Sequence, residues 1–411
     1  MGSKKILFIL SEYPPLTSPT ALAASLVINE MAKKEEVYCL RIYDGSQKVN
    51  DPVQIFSLFP SKSNSAWSTS KIGTKLKRLI FRLRQTVLIP FYPIAHPVLQ
   101  NKVNKLAIKI CKKYNIDVVI CVSFPFESIV AGNYIKRTLP QIKFVSYLID
   151  AFACGTPPKY LPKVFSNRRR ESYEKRMISN ADLVIAMESG RDFYEGKKYA
   201  GNIKFLNPAF FDDAKVSLVP DQTNRFDCNN TTITIVYSGY LYLPDRDPTF
   251  IIKALSNVPQ YRFRLQFVGR SEVNQVIEKE KKEINYEILC SGHVGHDELK
   301  QILNNANIFL HLGVSNSNAI SGKIFEYMSY GKPIIALYFK DGEATLPYLN
   351  KYPFSCCIDM RKTSYEMAGK IIFDFINQCK GKTVPLNYVK EVFYTSTPEA
   401  FVHEIEMLGG E

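Results

Sequence analysis

Ser321-Gly322-Lys323 stands at the head of a stretch whose spacing is helical, and those three residue types together have a chemical use. Ile324, Phe325 and Met328 supply one apolar face over residues 322–330, Gly331 reads as the stop, and a strand is expected over 333–336. Ser321 at the N-cap followed by Gly322 leaves the first helical amides open, and open amides at a helix N-terminus attract anions. Lys323 adds a cation in the first turn, where it opposes the helix dipole and is a poor choice for stability alone. Amides and lysine together make a cradle for a diphosphate. The alternative is a surface pair between Lys323 and Glu326, three positions on. The local pattern leaves both open.

Other chemistries are excluded by what the motifs lack. No GxGxxG follows the first strand, where Leu10 leads into Ser-Glu-Tyr-Pro-Pro, so a nicotinamide or flavin enzyme is not expected. There is no GxxxxGK[ST], which argues against a P-loop NTPase. His293, His296 and His311 are irregularly spaced and poor in neighbouring cysteine, so no metal site is expected. The nine cysteines are an odd number without CxxC spacing, and Cys39, Cys121 and Cys290 lie in apolar runs. Reduced thiols in a cytoplasmic protein fit this pattern.

These residues need a scaffold, and 411 residues with 46% hydrophobic content suffice for two or three domains with real cores. Short apolar strands alternate with helical patterns throughout. Strands are expected over 5–10, 37–42, 118–122, 143–148, 183–186 and 203–206, then over 232–237, 262–268, 286–290, 308–312, 333–336 and 355–358. Helical patterns over 20–33 and 128–137 serve the first half; those over 248–256, 273–282, 297–305 and 322–330 serve the second. Continuous apolar strands separated by helices imply parallel sheets covered on both faces. The expected architecture is α/β, with two Rossmann-like doubly wound domains facing a cleft. The polar, proline-containing stretch 207–230 separates the halves: residues 1–207 form the first domain, 208–390 the second, and 391–411 pack back on the first.

On this frame the stretch from Lys323 to Ala336, Lys-Ile-Phe-Glu-Tyr-Met-Ser-Tyr-Gly-Lys-Pro-Ile-Ile-Ala, resembles the donor-site signature of GT-B glycosyltransferases, in particular retaining family 4. Further motifs fall in that family's order: Ser11-Glu-Tyr-Pro-Pro15, Asn180-Ala-Asp-Leu-Val-Ile-Ala186, Val236-Tyr-Ser-Gly-Tyr-Leu241, Phe267-Val-Gly-Arg270, Gly292-His-Val-Gly295 and Asn305-Ala-Asn-Ile-Phe-Leu310. The resemblance covers nearly the whole chain. It implies transfer of a sugar from a UDP- or GDP-sugar, with retention, no cofactor and no metal. It implies that Glu326 receives the ribose hydroxyls and that Ser321, Gly322 and Lys323 hold the diphosphate. Arg246, in Pro244-Asp-Arg-Asp247, falls near the family's basic residue beside the departing phosphate; salt bridges to Asp245 or Asp247 are its alternative. Gly239, Arg270, His293 and Val294 fall on donor-binding positions. Asn318 stands where the family often has a second glutamate, and Ser18-Pro19 where its N-terminal loop has Gly-Gly. Asp150, after the 143–148 strand, is a candidate for acceptor contact or catalysis, or simply caps the strand end.

The charge is uneven. Of the formal +14, twelve units lie between Asp51 and Asp117, a stretch with twelve basic residues and no carboxylate, so the rest of the chain is nearly neutral. Within residues 62–113, Ile72, Leu76, Leu79, Ile80 and Leu83 make one helical stripe. Lys71, Lys75, Arg78 and Arg82 flank it on one side and Lys77 and Arg84 on the other. Such a helix suits an anionic membrane surface, or packs its stripe on the core. A charge this local disfavours nucleic acid, and no binding module for it is recognisable. Only five apolar residues (6–10) follow the first lysines, too few for a signal-peptide core, and no ~18-residue apolar run exists. A cytoplasmic enzyme, peripheral at the inner membrane face and acting on a lipid-linked or other glycan, is therefore expected. Its alternatives are a catalytically degenerate sugar-nucleotide-binding partner subunit and a GT-B-fold sugar-nucleotide epimerase.

Overall fold

The computed structural model describes residues 3–13, 18–42, 53–58, 89, 92–94, 96–123, 125–149, 151–155, 161–196, 201–211, 232–314 and 320–408. The chain divides into two compact units, Met1–Ala209 with Thr395–Glu411, and Phe210–Tyr394. The expected basic stripe, with Lys71, Lys75, Arg78, Arg82 and Arg84, lies outside the described residues, as do Asp150, Asn318 and most of the stretch 207–230.

In the first unit, strands β1 (Lys5–Leu10), β2 (Glu36–Arg41), β3 (Gln54–Ser57), β4 (Val118–Ser123), β5 (Lys143–Leu148), β6 (Leu183–Met187) and β7 (Ile203–Leu206) form one sheet, ordered β3-β2-β1-β4-β5-β6-β7. Every pairing is parallel. Helices α1 (Pro19–Met31), α2 (Pro97–Tyr114), α3 (Glu127–Thr138), α4 (Lys163–Ile178) and α5 (Arg191–Glu195) join them. Alternation along β1 explains why the strand is apolar throughout. Ile6, Phe8 and Leu10 pack into one core with Val27 and Ile28 of α1, while Leu7 and Ile9 pack into another with Val103 and Ala107 of α2. The strand pattern, not composition alone, thus fixes two covered faces.

The second unit repeats the plan with β8 (Ile233–Ser238), β9 (Phe263–Val268), β10 (Glu287–Gly292), β11 (Ile308–Leu312), β12 (Ile334–Tyr338) and β13 (Ser355–Asp359), ordered β10-β9-β8-β11-β12-β13 and again parallel. Its helices are α6 (Thr249–Leu255), α7 (Asn274–Glu280), α8 (His296–Asn305), α9 (Gly322–Ser329), α10 (Leu346–Leu349), α11 (Tyr365–Cys379) and α12 (Leu386–Val392). Ile233, Ile235 and Tyr237 face one core and Val236 the other. The strand order reverses between β8 and β11, and at such a switch point the loops leaving the carboxyl ends diverge to leave a crevice. Helix α13 (Pro398–Met407) belongs to the first unit, where Phe401 packs against Tyr147 with ring centroids 4.6 Å apart. Among the described residues Cys39, Cys111, Cys121, Cys290, Cys356, Cys357 and Cys379 are free thiols, and no helix is long and apolar enough to cross a membrane.

Two residues in the Gly331-Lys332-Pro333 turn hold α9 and α8 in place. Gly331 adopts φ +66°, the left-handed conformation that ends a helix without a Cβ clash. Lys332 is buried, and its Nζ donates to the carbonyls of Asn304 (2.5 Å), Ala306 (2.8 Å) and Leu303 (3.4 Å) at the end of α8. A cation there satisfies acceptors the helix leaves open and complements its dipole. Burial pulls the Lys332 ammonium down to about 8. Lys332→Met is expected to lower unfolding free energy by about 1–3 kcal/mol in denaturant titrations near pH 7. Below pH 8 both states hold the proton and the deficit is flat. Between about 8 and the free-lysine value of 10.5 the unfolded chain holds a proton the folded lysine has released, so wild-type stability gains relative to the variant as pH rises. A deficit that shrinks over that range would contradict this placement.

Candidate active site

Helix α9 begins where the sequence places it. Ser321 occupies the N-cap with extended backbone (φ −73°, ψ 116°), but its hydroxyl makes no capping bond. The cap is thus a matter of backbone, and the hydroxyl stays available to a ligand. A Cβ on Gly322 would lie 2.4 Å from the Phe210 ring, which stacks on Phe325 at 5.1 Å. Glycine here lets an aromatic pair close over the helix start. Further along the same helix Lys323 Nζ donates to Glu326 Oε2 at 2.8 Å, so the surface pair weighed from the sequence does form. It coexists with the helix start, because a lysine paired to a neighbour three residues away can exchange that partner for a phosphate at small cost.

Arg246 sits in the turn between β8 and α6. Its amide donates to Tyr242 O (2.8 Å), its Nη1 reaches Tyr240 O (3.4 Å), and its guanidinium lies 5.7 Å from the Tyr242 ring centre. Asp247, one of its expected partners, instead accepts from Thr249 N (2.9 Å) and Thr249 Oγ1 (2.6 Å) at the start of α6. Arg246 Nε is buried and finds no hydrogen-bond partner among the described residues. Burial raises the neighbouring Tyr237 phenol to about 12, partly countered by the Arg246 charge. Tyr237 therefore stays neutral and donates to Tyr240 O (3.1 Å).

Arg246 and Ser321 line one cavity of about 450 Å³ together with Tyr242, His311, Glu343 and Thr345. His311 lies at the carboxyl end of β11 itself, and the others follow the carboxyl ends of β8, β11 and β12, where a parallel sheet offers a ligand site. Cation, N-cap hydroxyl and buried carboxylate meet in a concave, partly apolar space. That arrangement can hold a polyol phosphate and stabilise charge on its phosphate oxygens.

The other sequence candidates are more scattered. The Gly239 amide donates to Val268 O (2.8 Å), which places it at the end of β8 beside β9. Arg270 is exposed, 3.8 Å from Glu272 and over the Tyr240 ring at 5.3 Å. His293 is exposed and Val294 half-buried in the loop after β10. Ser18 caps α1, its hydroxyl accepting from Ala21 N at 3.2 Å, so its side chain is already engaged.

Sequence reasoning weighed His311 only as a metal ligand and missed Glu343 and Thr345. The one signal was a histidine inside the otherwise apolar β11, followed by Gly313. It also missed a buried network in the first unit. Glu174 Oε2 accepts from Ala153 N (2.8 Å) and Oε1 from the Tyr194 hydroxyl (2.7 Å), while Arg170 donates to the carbonyls of Gly155 (2.6 Å) and Phe152. Burial pushes the Glu174 carboxyl above its usual range. The network fixes the turn Phe152–Cys154 that leaves the carboxyl end of β5.

Residues 232–346, from the start of β8 to the far wall of the cavity, match the family model described as glycosyl transferases group 1. The chain has a GT-B fold. Solved glycosyltransferases share that fold over nearly their whole length. HepE of Anabaena in complex with UDP is 18% identical, with a TM-score of 0.58, over 99% of this chain and 100% of that one. The lipopolysaccharide outer core galactosyltransferase WaaB, in its apo form, is 14% identical with a TM-score of 0.56, covering 98% and 99%. A glycosyltransferase from Rickettsia africae ESF-5 is 13% identical with a TM-score of 0.59, covering 99% and 98%. No curated protein matches the sequence.

Proposed function

We propose that this glycosyltransferase moves a sugar from a nucleoside-diphosphate sugar to a lipid-linked or other glycan acceptor, with retention of anomeric configuration, in the assembly of a cell-surface polysaccharide or glycolipid. The observation that carries the reading is the cavity itself. Arg246, the N-terminus of α9 and a buried carboxylate converge within the segment that matches the group 1 model. The UDP held by HepE favours uracil over guanine as the base.

In this reading Glu326 receives the ribose hydroxyls, and Lys323, released from it, turns to the diphosphate. As the bond between the anomeric carbon and the diphosphate oxygen breaks, negative charge gathers on the leaving phosphate. Arg246 and the first-turn amides of α9 stabilise that charge where it develops, the largest electrostatic lever available to such a site. The acceptor hydroxyl attacks from the face the diphosphate leaves, forms the new bond to the anomeric carbon, and passes its proton to a departing phosphate oxygen. The first unit, with Asp150 and the turn fixed by Glu174, serves the acceptor.

A peripheral position on an anionic, cytoplasmic membrane face fits the basic segment. Lys102, Lys105, Lys109 and Lys112 are exposed along α2, an arc of about 80° at 100° per residue, and the helix contains no carboxylate. A row of lysines this close to anionic headgroups gains about 1 kcal/mol each.

Two outcomes are expected. In a panel of UDP- and GDP-sugars, at least one UDP-sugar should raise the melting temperature and release nucleotide when acceptor is present. Arg246→Ala should lower that kcat about 10²–10³-fold while leaving the melting temperature within a few degrees; unchanged turnover would remove Arg246 from the site. In vesicle co-sedimentation, phosphatidylglycerol-containing liposomes should retain the protein better than phosphatidylcholine ones. Replacing Lys102, Lys105, Lys109 and Lys112 by Gln should reduce that retention at least about tenfold; equal binding to both vesicles would sink the membrane assignment.

A further inference from the structure

The cavity holds one group that neither the leaving phosphate nor the ribose requires. Glu343 is 4% exposed, yet it belongs to the loop that follows β12 rather than to a packed element. Its Oε1 accepts from Thr345 Oγ1 at 2.7 Å and lies 3.5 Å from His311 Nε2. Thr345 has one hydroxyl proton, and with that given to Glu343 it can only accept from His311 Nε2, 3.4 Å away. A relay from histidine to threonine to carboxylate therefore fixes Oε1. Oε2 is buried and has no partner among the described residues.

The backbone makes room for this oxygen. A Cβ at Gly313 would lie 2.3 Å from Glu343 Oε2 and 2.8 Å from both Cδ and Oε1. Gly313 is not in the left-handed region, so its glycine serves space and not backbone conformation. A buried carboxylate oxygen without a donor is costly, and persists where a ligand supplies the donor. Arg246 lines the same cavity and also keeps one buried atom unpartnered. The two are opposite in charge. A ligand that satisfies both carries an anionic oxygen at one end and O–H donors at the other, which describes a hexosyl phosphate.

We propose that Glu343, held by Thr345 and His311, accepts a hydrogen bond from a hydroxyl of the transferred sugar and sets which sugar the site takes. This rests on the donor-site reading above. A carboxylate acceptor discriminates strongly, because a sugar that lacks the hydroxyl, or points it elsewhere, leaves Oε2 without its donor. Gly313 and Thr345 are then part of the specificity device although neither donates to the sugar.

Isothermal titration separates the two claims. UDP and GDP are titrated first, then UDP-glucose, UDP-galactose, UDP-N-acetylglucosamine and GDP-mannose, into the wild type and into Glu343→Gln and Thr345→Val. The wild type should bind one nucleotide and one matching sugar nucleotide. Glu343→Gln should weaken the sugar nucleotide about 10–100-fold and the bare nucleotide less than about twofold. Thr345→Val should shift the same ratio in the same direction, and Thr345→Ser should restore it, a pattern that mere loss of packing does not produce. If the nucleotide binds but Glu343→Gln leaves the sugar increment intact, or weakens both ligands alike, the assignment of Glu343 is wrong while the donor site stands. If no nucleotide binds the wild type at all, the donor-site reading falls, and this assignment with it.

Discussion

A parallel sheet buried on both faces leaves polar chemistry one place to go, the edge where its strands end. In the second unit the central strands β8, β11 and β12 spend most of their side chains on the two cores, Ile235 on one face and Val236 on the other. The loops after β8, β11 and β12 are free of that duty, and they carry Arg246, Ser321, Glu343 and Thr345. The order reversal between β8 and β11 splays those loops apart and leaves room for a ligand. The site depends on this constraint more than on any single residue.

The buried polar groups of the two units divide by how they are satisfied. Lys332 is spent on three carbonyls at the end of α8, and Glu174 on an amide of the turn after β5 and on the Tyr194 hydroxyl. Each fixes part of its own unit's scaffold. Arg246 Nε and Glu343 Oε2 are not so spent. Since an unsatisfied buried charged group costs several times a satisfied one, this contrast separates groups that build the fold from groups that await a ligand. The same contrast explains the two glycines. Gly322 yields space to Phe210, and Gly313 yields space to the buried Glu343 carboxylate.

Much of the frame was legible in the sequence because continuous apolar strands can only be buried ones. The expected 5–10, 143–148, 203–206 and 308–312 strands agree with β1, β5, β7 and β11, and the others are displaced at one or both ends by one or two residues. β3 escaped notice because its Gln-Ile-Phe-Ser lies at a sheet edge, half-exposed, without the apolar run of a central strand. Helix α4 escaped because Asn-Arg-Arg-Arg-Glu reads as a solvated charge run, although Arg170 and Glu174 turn inward. The helix that opens with Gly322 was readable from its cap, stripe and stop. The Glu343–Thr345–His311 relay was not: His311 lies more than thirty residues before the other two, and only the register of β11 beside β12 brings it to them.

The carboxyl edge of the second sheet is the proposed seat of a nucleoside-diphosphate sugar. The most direct measurement is a crystal structure of the protein soaked or grown with UDP. The diphosphate is expected at the N-terminus of α9, within hydrogen-bond distance of the first-turn amides and of the Arg246 guanidinium, with Glu326 on the ribose. Nucleotide bound at the first unit's sheet, or in the second unit but away from α9 and Arg246, would contradict it.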